Sequence, residues 1–181
     1  MAIIMAGGRG RRMLSGEEKP MLRVRGKPMV GYVLEALRNS GCFERIIALV
    51  SSNTPRTANF LAKEGVTVSN SSGRNYVKDL NDILLLASPK KVLITPSDLP
   101  LLDSNAVRSI AGRFERCSKP CLSVVVSKAM VERMGVSSEY CFEHDGKMVC
   151  NTGVSVIDSS QVSGYDALGD ETLIMDEPQL V

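Results

Sequence analysis

The sequence predicts an α/β fold in which a mostly parallel sheet carries helices on both faces. Three observations point there. Short apolar runs recur at residues 2–6, 46–50, 92–94 and 122–126, amphipathic helical stretches alternate with them, and the first three runs empty into loops rich in Gly, Ser, Asn or Asp. Short continuous apolar runs are the pattern of strands buried on both faces. Their alternation with helices is the pattern of a sheet covered on both sides.

The elements follow in order. The strand at 2–6 opens into Gly7-Gly8-Arg9-Gly10-Arg11-Arg12-Met13, and residues 21–24 read as a short extended piece. Pro28 stands at the first position of a helix whose Met29, Val33, Leu34 and Leu37 share one face, and Gly41 stops it. After the buried strand at 46–50, Asn53 or Thr54 serves as N-cap of a helix with Pro55 at its first position, ending at Gly65. A short strand at 66–68 and the loop Asn70-Ser71-Ser72-Gly73-Arg74 follow. A helix over 76–87 turns Val77, Leu80, Ile83 and Leu84 inward. The strand at 92–94 runs into Thr95-Pro96-Ser97-Asp98-Leu99-Pro100. Asp103 or Ser104 then caps a helix with Val107, Ile110 and Phe114 on one face. After the strand at 122–126, Asp145-Gly146 turns a hairpin of residues 139–143 and 147–150. Residues 154–157 extend that hairpin or start a new strand, and residues 173–175 are a last apolar piece.

A chain of 181 residues is expected to form one domain, residues 1–181. Its formal charge of +2, without a long basic stripe, argues against a nucleic-acid binder. No apolar run approaches the ~20 residues of a membrane span, and the N-terminus lacks a signal-peptide pattern, so a cytoplasmic protein is expected. An odd set of cysteines (Cys42, Cys117, Cys121, Cys141, Cys150) then predicts free thiols in a reducing compartment. Cys117 and Cys121 have a spacing that a metal site can use, but the sole histidine, His144, sits in a turn expected to be exposed, so no zinc site is predicted. The methionines, in a chain without Trp, read as core filling.

The chemistry concentrates at the first loop. Glycines let backbone amides approach a ligand closely and converge on an anion. Arg9, Arg11, Arg12 and Lys19 around them imply a polyanion, most simply a nucleoside triphosphate. The loop lacks the G-K-[ST] ending of a Walker A motif, and Met13 stands where the Rossmann fingerprint needs a third glycine. In a parallel sheet, ligands bind at the carboxyl ends of strands. The glycine loop, residues 51–54, residues 71–74 and Asp98 each follow a strand, so all four are expected on one edge. Asp98, between Pro96 and Pro100, is placed to hold Mg²⁺ opposite the phosphates; the alternative is that it only caps a turn. Asp176 and Glu177 are either a second acidic contribution or solvated.

Gly7-Gly8-Arg9-Gly10-Arg11-Arg12-Met13 with Lys19-Pro20 resembles the G-G-x-G-x-R-[ML]…K-P signature of the nucleotidyltransferases, which include sugar-phosphate, molybdopterin and cobinamide-phosphate enzymes. Four further segments sharpen this: Asn53-Thr54-Pro55-Arg56-Thr57, Ser72-Gly73-Arg74-Asn75-Tyr76-Val77-Lys78-Asp79-Leu80-Asn81, Ser97-Asp98-Leu99 and Ile174-Met175-Asp176-Glu177. They resemble, in order and spacing, the archaeal-type GTP:adenosylcobinamide-phosphate guanylyltransferases of the molybdopterin-guanylyltransferase-like superfamily. The pattern departs by one extra residue between Met13 and Lys19, and the chain stops at Val181, where the family continues through an Asn-x-Asn-Thr segment.

The resemblance implies a Rossmann-like, nucleotide-diphospho-sugar-transferase-like fold. It implies an enzyme that moves GMP from GTP to a cobinamide phosphate with release of pyrophosphate, using Mg²⁺. Lys19, Arg12 and Asp98 are the expected catalytic residues, with Asp98 on the metal. Gly7, Gly8, Arg9, Gly10, Arg12 and Lys19 are expected on the triphosphate, and backbone groups of Asn53, Thr54, Ser72 and Gly73 on the guanine edge. Asp79 either contacts the ribose or lies on a solvated helix face. Asn151, in Asn151-Thr152-Gly153, is similar to the turn by which sugar-nucleotidyl enzymes hold their acceptor; an ordinary strand turn fits as well. The competing readings are a molybdopterin or sugar-phosphate nucleotidyltransferase and a non-catalytic nucleotide-sensing module. An edge strand near the C-terminus would suit a homodimer.

Overall fold

The computed structural model describes residues 1–8, 17–86, 91–138, 140–163 and 168–181, with Tyr76 and Leu86 described by backbone alone. The elements are β1 (Ala2–Met5), β2 (Arg23–Val24), β3 (Lys27–Pro28), α1 (Met29–Ser40), β4 (Ile46–Val50), α2 (Pro55–Lys63), β5 (Thr67–Asn70), α3 (Tyr76–Leu86), β6 (Lys91–Pro96), α4 (Ser104–Phe114), β7 (Cys121–Ser127), α5 (Lys128–Arg133), β8 (Cys141–His144), β9 (Lys147–Asp158) and β10 (Asp170–Ile174). Among the described residues the main sheet runs β10-β7-β9-β6-β1-β4-β5, with β8 beside β9. β1 is parallel to β4 and β6, β4 to β5, and β7 to β10, whereas β9 runs antiparallel to β6, β7 and β8.

The period of two along each strand divides the core. Ala2, Ile4 and Ala6 face one cluster together with Val33, Leu37, Leu61, Val107 and Ile110 from α1, α2 and α4. Ile3, Leu49, Val92 and Ile94 face the other, against Ile83 and Leu84 of α3. Strands apolar on both sides are therefore buried on both sides. Gly41 closes α1 in the left-handed region, at φ 67°, as a C-terminal glycine does.

The structure departs from the sequence reading in several places. Residues 19–21 form a turn of 3-10 helix, so only Arg23 and Val24 of the expected extended piece are strand. Pro28 ends β3 and precedes α1. The short strand expected at 66–68 is β5, at Thr67–Asn70, and residues 147–158 make one long strand. α5 was not foreseen: its six residues are too few for helical periodicity to show. Val77 is 58% exposed, because Asp79, about 200° away around α3, takes the inward place in that first turn.

Cys141 and Cys150 are joined in a disulfide, against the expectation of free thiols throughout. The cause is the turn: Asp145 (φ 49°) and Gly146 (φ 72°) set a register that puts these two residues directly opposite, with Cα atoms 4.0 Å apart. Cys42, Cys117 and Cys121 are free, and His144 is half-buried beside Asp145. No helix is long and apolar enough to cross a membrane among the described residues.

Asp103 is the N-cap of α4. Its carboxylate accepts from the Asn105 and Ala106 amides, both at 2.9 Å, and from Gln179 Nε2 at 3.3 Å. The bond from Ala106 leads in holding this carboxyl below its ordinary value. A depressed carboxyl contributes stability above its unfolded pKa of about 3.9 and loses it as pH falls through the lower folded value. Asp103→Ala should destabilise the fold by about 1 kcal/mol at pH 7, read by thermal unfolding, and the deficit should shrink in strong acid.

Candidate active site

The carboxyl ends of β1, β4, β5 and β6 meet on one edge. The Ser51 side chain, buried just past β4, joins the loops there. Its hydroxyl donates to the Gly7 carbonyl at 2.7 Å and accepts from the Asn53 amide at 3.1 Å and Asn53 Nδ2 at 3.0 Å. The loop after β5 closes against the same group. A Cβ on Gly73 (φ 62°) would lie 2.6 Å from Ser51 Cβ and Oγ and 2.8 Å from Asn53 Nδ2. Gly7 is close-packed but less tight: a Cβ there would lie 3.2 Å from Ser71 Oγ and 3.3 Å from Ser51 Cβ. Gly73 is required by close approach and by its backbone.

Asp79 organises this loop from behind. Oδ1 accepts from the Ser72 amide and Oδ2 from the Gly73 amide, both at 2.9 Å, while the side chain is buried. Burial pushes the Asp79 carboxyl up, but the bonds from Ser72 and Gly73 together outweigh it and hold the group below its ordinary value. The solvated-face reading of Asp79 is thus excluded, and both its oxygens are spent on the loop.

Of the backbone groups expected at the guanine edge, the amides are committed inside the protein. The Asn53 amide binds Ser51 Oγ, the Thr54 amide binds the Ser51 carbonyl at 3.0 Å, and the Ser72 and Gly73 amides bind Asp79. Thr54 is itself buried, and its hydroxyl accepts from the Ser51 amide at 3.2 Å.

At the end of β6, Asp98 pairs with Lys19: Nζ and Oδ2 are in direct contact, with the side chains 51% and 26% exposed. Lys19 is held by its neighbours. Pro20 is buried, and the Glu18 carboxylate crosses to the start of α2, where it accepts from the Arg56 and Thr57 amides, each at 2.7 Å, and from the Thr57 hydroxyl at 2.6 Å. Thr54 occupies the N-cap position of α2 but makes no capping bond, so Glu18 supplies the cap. Sequence reading missed this contact, and the bond from Ser51 to Gly7 too, because partners so distant along the chain leave no local pattern.

The Asn151-Thr152-Gly153 segment is a bulge within β9. Asn151 Oδ1 accepts from the Gly153 amide at 2.8 Å, Thr152 Oγ1 donates to the Val124 carbonyl at 2.8 Å, and the pairing with β7 shifts register there. Gly153 (φ 78°) would bring a Cβ within 3.3 Å of Pro96 Cγ. The bulge therefore rests on the strand end that carries Asp98, and Asn151 beside it is exposed. Asp176 Oδ1 accepts from the Ser127 amide at 2.6 Å, at the start of α5. Gly8 is exposed at the loop entrance, and Arg9, Gly10 and Arg12 lie outside the described residues. Among the described residues no three His, Cys, Asp or Glu side chains are grouped to hold a metal ion, at Cys117 and Cys121 or elsewhere.

Residues 2–155 match the model of a MobA-like NTP transferase domain. The chain belongs to this family. Within the MobA-like NTP transferases, it is 36% identical over 118 residues to the adenosylcobinamide-phosphate guanylyltransferase of Methanocaldococcus jannaschii, covering 62% of this chain and 59% of that one. It is 28% identical over 123 residues to the probable molybdenum cofactor guanylyltransferase of Thermococcus kodakarensis, covering 65% of this chain and 55% of that one. The chain thus spans rather more than half the length of these two relatives. The fold is shared with HddC from Yersinia pseudotuberculosis complexed with GMP-PN, at a TM-score of 0.72 and 15% identity over 97% of this chain and 90% of that one. The structure of a hypothetical transferase from Thermus thermophilus superposes with a TM-score of 0.65 at 24% identity, covering 88% of this chain and 65% of that one.

Two substitutions test the loop geometry. Gly73→Ala should weaken nucleoside triphosphate binding at least about tenfold by calorimetry, since its Cβ displaces Ser51. Asp79→Asn places an NH₂ group against one of two amides and should cost about 1–3 kcal/mol in thermal or denaturant unfolding.

Proposed function

We propose that the chain is a cytoplasmic guanylyltransferase that moves GMP from GTP to adenosylcobinamide phosphate and releases pyrophosphate. The observation that carries this reading is the pairing of Lys19 with Asp98 on the edge where the Gly7, Ser51 and Gly73 loops lock together. The likeness to the Methanocaldococcus jannaschii protein is what favours this acceptor.

In the reaction, an oxygen of the acceptor phosphate attacks the α-phosphorus of GTP. A new P–O bond forms, the bond between the α-phosphorus and the bridging oxygen breaks, and its electrons leave on pyrophosphate. A phosphate monoester has a second pKa of about 6, so the attacking oxygen is already ionised near neutrality and no general base is required. The residues have to position and neutralise. The amides of residues 7–10 and Arg12 bind the triphosphate, and the Lys19 ammonium offsets charge at the α-phosphate. Asn151, exposed on the bulge whose Gly153 lies against Pro96, receives the acceptor. With their amides committed, Asn53, Ser72 and Gly73 offer guanine carbonyl oxygens, which match its N1–H and N2–H donors, together with the Asn53 side chain, whereas the Thr54 carbonyl is taken by the Ala58 amide at 3.0 Å.

Asp98 is the residue that would hold Mg²⁺. Among the described residues no cluster of acidic side chains surrounds it, and a single carboxylate suits a hard ion that takes its other ligands from phosphate and water. Such an ion supplies Lewis-acid polarisation of phosphate oxygens when bound. The second reading, a molybdopterin acceptor, is favoured by the likeness to the Thermococcus kodakarensis protein.

Pyrophosphate release should appear with GTP, Mg²⁺ and adenosylcobinamide phosphate together and with no other nucleoside triphosphate. Release with molybdopterin instead would select the second reading, and tight GTP binding without release on any acceptor would indicate a sensing module. Lys19→Ala and Asp98→Ala should each lower kcat by about 10²–10³. Near-normal turnover of Asp98→Ala at saturating Mg²⁺ would remove the metal assignment.

A further inference from the structure

We infer that Glu18 is a positioning residue for Lys19, acting by clamping the exit of the glycine loop to the first turn of α2. Three bonds carry it: the Arg56 amide to Oε1 and the Thr57 amide and hydroxyl to Oε2, at 2.6–2.7 Å. Their target is rigid. Thr57 is fully buried, and α2 is fixed to the core by Leu61. The clamp is also short on the Lys19 side. The Met21 amide bonds the Glu18 carbonyl at 2.8 Å and the Leu22 amide the Lys19 carbonyl at 3.2 Å, while Pro20 is buried. The Lys19 backbone is therefore held on both sides, and its half-exposed side chain has only the span to Asp98 to cross.

The partner of the clamp gives it meaning. α2 begins directly after the Ser51–Thr54 turn, whose Ser51 hydroxyl holds Gly7 and meets Gly73. Glu18 thereby ties the loop that ends in Lys19 to the segment that joins the nucleotide loops. The helix end could have been capped locally, but the Thr54 hydroxyl is turned back onto Ser51 and leaves the first-turn amides to a carboxylate from elsewhere. An ionised acceptor at a helix N-terminus is favoured by both hydrogen bonding and the helix dipole. Glu17 adds a weaker tie, with its Oε1 3.9 Å from Arg56 Nη1.

The role of Lys19 in this inference rests on the guanylyl-transfer reading, whereas the clamp itself is geometric. Glu18→Ala should lower kcat by roughly 10- to 100-fold with KM for GTP changed little, the scale of a reacting group misplaced by about an ångström. In a Lys19→Ala background the same change should cost less than about threefold, because the group it positions is gone. Glu18→Gln keeps one acceptor oxygen and should fall between, and it replaces the alanine variant if that does not fold. An equal loss of kcat in both backgrounds, or a fall in thermal stability with kcat intact, would overturn the inference.

A readout without turnover separates this from failure of the proposed reaction. GTP should protect Lys19 from an amine-acylating reagent, followed by mass spectrometry, and Glu18→Ala should reduce that protection at equal GTP occupancy. Unchanged protection would overturn the clamp's effect on Lys19. Reduced protection in a protein that releases no pyrophosphate would support the clamp and sink only the transferase reading.

Discussion

The hydroxyl of Ser51 is one side-chain oxygen shared by two loops, and Gly73 of a third is pressed against it. It donates to Gly7 at the end of the first strand, accepts from Asn53 in its own turn, and sits where a side chain on Gly73 would have to go. Remove it and the loops after β1, β4 and β5 lose their common point. Asp79 sets the far side of the Gly73 loop with two amide bonds from a buried position. The edge of the sheet is therefore a cross-braced surface, and the polar groups that brace it are buried and satisfied, the condition under which they order a site without weakening the core.

Much of this fold can be read from the chain because its strands are buried on both faces. Runs such as residues 46–50 and 92–94 cannot be stable as anything half-exposed, so strand identity and the parallel arrangement follow from composition. The carboxyl-edge rule then brings Gly7, Ser51, Gly73 and Asp98 together before any contact is seen. What stays illegible is what depends on a partner distant in sequence. Val77 looks like a core residue by periodicity, yet the inward place went to Asp79 because the Ser72 and Gly73 amides needed a carboxylate. Asn53 and Thr54 look like a cap followed by a proline, yet Glu18 does the capping. The cysteine reading failed for a related reason: counting thiols ignores register, and the Asp145-Gly146 turn decides which two meet.

The bulge at Asn151–Gly153 shows how an antiparallel strand enters a parallel architecture. β9 is gripped by β7 along most of its length and by β6 and β8 in turn on the other side. The bulge falls between the stretches paired with β6 and with β8, and there Gly153 lies against Pro96. A bulge bends and re-aims its strand, so the exposed amide of Asn151 owes its place to a local defect in the ladder that Thr152 stabilises by bonding the Val124 carbonyl.

The Lys19–Asp98 pair also sets how ionic strength acts on this protein. Both groups reach solvent, and an ion pair in that setting is worth little, of the order of 0–1 kcal/mol. A phosphate that takes Lys19 from Asp98 exchanges one such pair for another of the same kind. Dissolved salt screens the pair that is lost as well as the pair that is gained. At this point of the site the two effects largely cancel, leaving the salt sensitivity of anion capture to the charges that have no carboxylate to give up.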